Sequence, residues 1–252
     1  IIYKDIAMDK IDIENTDLNN SYFHFTEKEN LTSIQEKGLI AQVGDASELV
    51  EDKPRVCLSL GGKGILGIKN SFIHKFKNLR ICDIPNGYRK YFSIADFNST
   101  ELINTEEIYN AMEKRFKNEV YLIVDAKEGE DFLPEEMHGF ASKFDIKGKE
   151  NHNIPPNKIS ILTTSKGNSA LNVIQYIYNR LLTKNPGKEN LIKNMNSDLS
   201  EMLDYINQRD KRTISMKNVV SKAIRDGISL EDLEHSNVRD EKEGEISKDE
   251  WK

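Results

Sequence analysis

Apolar and polar side chains alternate through Tyr22-Phe23-His24-Phe25-Thr26, and this period of two predicts a strand over residues 21–26. Alternation puts Tyr22, His24 and Thr26 on one face and Phe23 and Phe25 on the other. In the following TEKENLTSIQEKGL, Leu31 and Ile34 share a helical face, Thr26 and Glu29 stand at capping spacing, and Gly38 marks a stop. Leu39 and Ile40 are then expected to pack back onto that helix. RVCLSL, residues 55–60, is an apolar run between Pro54 and Gly61 and predicts a buried strand. Gly61, Gly62 and Gly64 predict a flexible turn before a helix over 65–76, and Asn86-Gly87 predicts another turn. Ile108, Met112 and Phe116 recur every four residues and predict a helix over 105–117. EVYLIVDA (119–126) and KISILT (158–163) read as strands, the second entered through Asn153-Ile154-Pro155-Pro156.

From Ser169 the spacing becomes helical. Leu171, Ile174, Ile177, Tyr178, Leu181 and Leu182 form a stripe over 170–184, and Ile192, Met195, Leu199, Met202, Leu203 and Ile206 form another over 190–209. Two shorter helices are expected over 215–226 and 229–235, separated by Gly227. Beyond Ser236 no core-forming pattern remains. The pattern predicts an α+β domain with antiparallel-type strands over 1–168 and a helical extension over 169–252, ending in a loosely held tail.

Composition narrows the partners. A net charge of −6 argues against a chain that wraps nucleic acid by bulk attraction. Lys63, Lys69, Lys75, Lys77 and Arg80 cluster locally and read either as a basic cleft or as a solvated helix face. No apolar run approaches the roughly 20 residues of a membrane span, and no charged-then-apolar leader is present. The chain begins at Ile1 rather than Met, so a leader could be missing. Cys57 and Cys82, without metal-like spacing, read as reduced, buried thiols. A cytoplasmic location is expected, with secretion as an effector left open.

Tyr22-Phe23-His24-Phe25-Thr26, then Glu29-Asn30-Leu31, Ile34 and Gly38-Leu39, resembles the opening of the ADP-ribosyltransferase-like superfamily. There a strand carrying His-x-Thr precedes a short helix. Val56-Cys57-Leu58-Ser59 is similar to the second core strand, and Ile154-Pro155-Pro156-Asn157-Lys158-Ile159 to a late segment leading into a final strand. The resemblance covers roughly residues 20–165 and is nearest to the RNA 2′-phosphotransferase branch, with mono-ADP-ribosyltransferases next. Cys57 stands where that branch carries a second histidine, and Asn157 where relatives often carry an acid. The implied fold is α+β, with split antiparallel sheets and short helices around a cleft that binds NAD.

The implied chemistry is displacement of nicotinamide from NAD and transfer of ADP-ribose to a protein or nucleic-acid acceptor, as by a bacterial effector or toxin. His24, Phe25 and Thr26 on the first strand and Arg55, Ser59 and Gly61 on and after the second are the candidate NAD-binding residues. His24 is expected to offer an imidazole N–H to a ribose hydroxyl, Ser59 to brace the ribose, and Arg55 to pair with a phosphate. Gly61-Gly62-Lys63-Gly64 could aim backbone N–H groups at a phosphate, or be a plain strand-to-helix turn. In the 131–149 loop, Glu135 or Glu136 could serve as the catalytic carboxylate, and His138 as the second histidine. A Cys57–His24 thiol–imidazole pair and a solvated role for the loop acids stay open, and no metal site is assigned. The alternatives are an RNA 2′-phosphotransferase-like enzyme and a non-catalytic module whose C-terminal helices hold a protein partner.

Overall fold

A computed structural model describes residues 8–43, 53–67, 72–133 and 145–225. Six strands form one mixed sheet in the order β1-β6-β4-β2-β3-β5. They are β1 (Lys10–Asp12), β2 (Tyr22–Glu27), β3 (Cys57–Leu60), β4 (Glu119–Val124), β5 (Asp145–Lys147) and β6 (Ile159–Thr163). The helices are α1 (Leu31–Lys37), α2 (Gly61–Gly67), α3 (Phe72–Phe76), α4 (Asn86–Arg89), α5 (Thr105–Asn118), α6 (Ala170–Lys184), α7 (Glu189–Met195) and α8 (Ser197–Arg225). The α+β class expected from the pattern holds at this level. The β1–β6 pair is parallel and the other four pairings are antiparallel, so the sheet is mixed rather than wholly antiparallel.

β4 is buried on both faces because both faces of the sheet are covered. On one side Val120, Leu122 and Val124 join Ile159, Ile161, Leu58 and Val56 in a core closed by Leu31 and Ile34 of α1. On the other, Phe23 and Tyr121 are fully buried, and α5 and α6 pack across β4. Asn104 caps α5 by accepting from Glu107 N at 2.8 Å, and Ser169 caps α6 by accepting from Asn172 N at 3.2 Å. The stripe on α6 is thus covered within the same compact unit, which extends to Met202. Asp198, at the start of α8, accepts from Ile73 N at 3.0 Å and fixes the head of α3. From Leu203 the chain belongs to a second compact unit, where Ile214, Met216 and Val219 on α8 are exposed.

Four local expectations are corrected. Thr26 does not cap a helix: it stays in β2, and its hydroxyl accepts from Asn30 Nδ2 at 3.1 Å, while a 3-10 turn (Lys28–Asn30) precedes α1. The glycine run is helical rather than a loose turn, because Gly61 N and Gly62 N donate to the carbonyls of Ser21 and Leu18 at 2.8 and 2.6 Å and seat α2 against that backbone. Asn86-Gly87 opens the short helix α4 instead of a bare turn. The expected 190–209 helix divides at Asn196, and α8 runs unbroken through the start expected for a separate helix at residue 215. Leu39 is buried as expected, but Ile40 is exposed. The helix expected over 229–235 lies outside the described residues. No described helix is long and apolar enough to cross a membrane.

Gly38 ends α1 with φ +78°, and the chain turns at once into reciprocal Leu39–Ile154 backbone bonds of 2.9 Å. A Cβ at Gly38 would lie 2.0 Å from the Ile154 carbonyl oxygen, whereas one at Gly129, with φ +81°, would meet nothing within 4 Å. Gly38→Ala is therefore expected to cost at least about 2 kcal/mol, from backbone strain plus the clash. Gly129→Ala, with strain alone, is expected to cost about 1 kcal/mol. Urea denaturation midpoints check the difference; equal midpoints for the two variants would refute the close-approach account.

Candidate functional site

β2 pairs with β4 along its whole length, from Tyr22 opposite Val124 to Glu27 opposite Glu119. With β3 it pairs only through Tyr22–Leu60 and Phe23–Ser59. Beyond Phe23 the two strands part, and β3 keeps its ladder to β5 through Cys57–Lys147. The gap opens into a cleft of about 350 Å³. β2 contributes His24 and Thr26 to its walls, α1 and the chain around Gly38 contribute Ser33 and Gln42, and the approach to β3 contributes Arg55 and Cys57. A gap running through a sheet admits residues from both of its faces, so Arg55 and Cys57 reach the cleft although alternation sets them opposite Val56.

The ring of His24 spans the gap, with Nδ1 2.9 Å from the carbonyl oxygen of Cys57. A carbonyl only accepts, so Nδ1 carries the proton and Nε2 of the neutral ring is the acceptor. His24 keeps some solvent contact, but the atoms crowded around its imidazole desolvate it. That burial lowers its pKa from the ordinary value, against the opposing pull of the Cys57 carbonyl. The expected role is thereby reversed: Nδ1–H is spent on the protein, and a ligand hydroxyl would donate to Nε2. Thr26 Oγ1 accepts from Asn30 Nδ2, which leaves its own O–H to donate elsewhere. Arg55 Nη1 donates to the Gly148 carbonyl at 2.8 Å, and Arg55 is the one charged side chain among the described residues lining the cleft. Reciprocal bonds of 3.2 and 3.3 Å between Arg55 and Gln42 tie the two walls together.

Of the residues singled out by sequence, His24, Thr26 and Arg55 meet here. Ser59 does not join them: its register opposite Phe23 puts it on the other face, where the strands are still paired and it is buried. Phe25 turns to that same side, with its ring centroid 5.1 Å from that of Tyr121. Gly61 follows β3 at its closed end, its amide donated to Ser21. Glu135, Glu136 and His138 lie outside the described residues. Cys57 is an exposed thiol outside any disulfide rather than a buried one, and the His24 contact is to its carbonyl. Asn30, Ser33 and Gln42 were not singled out; Asn30 and Ser33 flank the helical positions Leu31 and Ile34, so the helix spacing alone could have marked them as facing the strand.

A second polar cluster was also missed. Asp131 is 1% exposed, and its carboxylate accepts from His152 Nε2 at 2.9 Å, Lys127 N at 2.8 Å and Lys158 Nζ at 3.1 Å. Burial would raise its pKa, but the bonds from His152, Lys127 and Lys158 together hold it low. It joins the chain after β4 to the chain entering β6, and none of the four residues lines the cleft.

Because the folded pKa of His24 lies below its unfolded value of about 6.5, the unfolded chain binds the extra proton first as pH falls. Its contribution to stability is full above about pH 6.5 and is lost as pH drops through the folded value. His24→Asn keeps a side-chain donor within reach of Cys57 and removes the titration. Unfolding free energies at about pH 7.5 and about pH 5.5 should therefore fall less in the variant than in the wild type. An equal fall would contradict the neutral, desolvated ring.

Comparison with protein families, with curated proteins and with solved structures gives no match to this chain.

Proposed function

We propose that the chain is an NAD-dependent ADP-ribosyltransferase-like protein of the split-sheet type, and that the β2–β3 cleft holds NAD. The observation that carries this reading is the parting of β2 and β3 at His24, with a neutral imidazole acceptor, a threonine hydroxyl and one arginine on the described walls. These groups fit the ligand's chemistry. A ribose hydroxyl donates to His24 Nε2, Thr26 donates to a second ribose oxygen, and the planar fork of Arg55 pairs with the pyrophosphate. A volume of about 350 Å³ falls in the range of small-molecule sites. Bound NAD supplies the transferable group: its glycosidic C–N bond breaks, nicotinamide leaves, and the anomeric carbon bonds to an acceptor nucleophile that gives up its proton. This chain's part is orientation of the ribose through His24 and Thr26, anchoring of the phosphates through Arg55, and polarisation of a ribose hydroxyl by Glu135 or Glu136 as the catalytic carboxylate, with the acceptor's proton passing to solvent.

A second reading is favoured by one feature, the lack of any carboxylate among the described lining residues. In it the cleft binds NAD without turnover, and the exposed apolar positions of α8 serve a protein partner. Calorimetric titration with NAD and an assay of nicotinamide release separate the two. Wild type is expected to bind, with His24→Ala weakened about five- to tenfold and Arg55→Ala at least as much. Ser59→Ala, outside the cleft, is expected to bind normally. In the transferase reading, changing Glu135 and Glu136 together to Gln leaves binding in place and removes nicotinamide release. Release by wild type only on addition of 2′-phosphorylated RNA would assign the phosphotransferase branch instead. Binding absent at millimolar NAD would remove the whole proposal.

A further inference from the structure

The chain carries six more negative than positive formal charges, yet basic side chains collect in a strip along two adjoining grooves around the turn into α6. Two shallow grooves, about 380 and 450 Å³, share Lys166 and Asn172. Lys28 and Lys117 border the first, together with the turn that leads into α6. The second climbs α6 past Tyr176, Arg180 and Lys184. Among the described residues no acidic side chain lines either groove. Lys117 is paired with Glu113 at 2.6 Å.

One end of the strip adjoins cleft residues along the chain. Lys28 sits between Thr26 and Asn30, which both line the cleft, and donates to the Lys117 carbonyl at 2.8 Å. Ser169 bridges to Val120, whose partner across the ladder is Thr26. From there α6 carries the strip for roughly 22 Å, at 1.5 Å per residue.

Its chemistry suits a phosphodiester chain better than an acidic protein. Protein interfaces centre on buried apolar anchors, and Leu171 is the one aliphatic side chain among the described residues lining these grooves. Spaced cations suit phosphates, the side-chain amides of Asn172, Gln175 and Asn179 suit sugar and base edges, and Tyr176 offers an aromatic ring. Arg180 Nη1 donates to the Tyr176 hydroxyl at 3.1 Å, which braces cation and ring together. We propose that this strip binds a single-stranded nucleic acid and delivers it to the cleft as the acceptor. The acceptor role rests on the NAD reading; the binding itself does not.

Fluorescence anisotropy with labelled single-stranded RNA and DNA oligonucleotides of about 15 nucleotides tests the binding. Wild type is expected to bind at least one of them, with the logarithm of affinity falling by about 2 per tenfold rise in salt if three phosphates are neutralised. The combined variant K166E/R180E/K184E is expected to lose at least tenfold in affinity, while its NAD titration matches wild type. If that variant fails to fold, the milder pair K166Q/K184Q at two exposed positions is expected to show a smaller loss in the same direction. Whichever of RNA and DNA binds more tightly identifies the acceptor. Three results would each overturn the proposal: no oligonucleotide binding, affinity unchanged by these substitutions, or displacement by polyglutamate as readily as by unlabelled oligonucleotide. Wild type that binds NAD but no oligonucleotide overturns the strip and leaves the cleft standing. Wild type that binds oligonucleotide but not NAD does the reverse.

Discussion

One contact sets the character of this molecule: the imidazole of His24 donating to the carbonyl of Cys57 across a gap where two strands have stopped pairing. Parting a sheet leaves backbone donors and acceptors along two edges, and each needs another partner or water. On the β3 side the ladder to β5 and the His24 ring supply partners; on the β2 side the continuous ladder to β4 holds the strand straight. The same bond selects the histidine tautomer. An asparagine could imitate the donor, but an imidazole also presents a second nitrogen, beyond the first, as an acceptor. Structure and chemistry at this point share one side chain.

The gap stays open only because its margins are fixed elsewhere. Gly38 lets the end of α1 turn directly onto Ile154, so the helix wall is pinned to the segment that enters β6. That segment is held in turn by the buried carboxylate of Asp131, bonded to both His152 and Lys158. A carboxylate with almost no exposure is costly unless every lone pair is used, and a backbone N–H, an imidazole and an ammonium satisfy it here. On the far face a comparable arrangement secures the end of β2. Burial would raise the pKa of Glu27, but Lys90 and Tyr91 bring it down to about 2. The Glu27 end of the strand that carries His24 and the segment that pins α1 are therefore each anchored by a polar network outside the cleft.

Local spacing made much of this legible. The alternation in YFHFT gave β2 and the correct face for His24 and Thr26, and four-residue spacing gave α5 and α6 nearly to their ends. Spacing failed where distant backbone decides the outcome. The glycines after β3 read as a loose turn because nothing local shows that Ser21 and Leu18 accept from their amides. β1 is three residues long and exists only through its parallel pairing with β6. Ser59 was misplaced for a related reason. It alternates in phase with Arg55 and Cys57, but the point at which two strands separate is a tertiary property, and it falls between Ser59 and Cys57. The Asp131 cluster draws on residues up to 31 positions apart, Lys127 to Lys158, and leaves no periodic trace.

Charge shows the same limit and its use. A total of −6 describes the whole chain, whereas a ligand meets only the field of the surface it approaches. The sequence run through Lys63 to Arg80 looked like the basic feature, yet Arg80 is paired with Asp83 at 2.7 Å and Lys75 lies 4.2 Å from the centre of the Tyr88 ring. The strip, with no acid among its described lining residues, is instead assembled from the turn after β2, the end of α5, the turn after β6 and one side of α6, four segments that meet only after folding. All four adjoin β4, with β2 and β6 as its neighbours in the sheet and α5 and α6 packed against it, so the strand order that opens the cleft also gathers these cations. The acidic excess of the chain as a whole sharpens the contrast, because net negative charge repels anions that a local cluster of cations attracts.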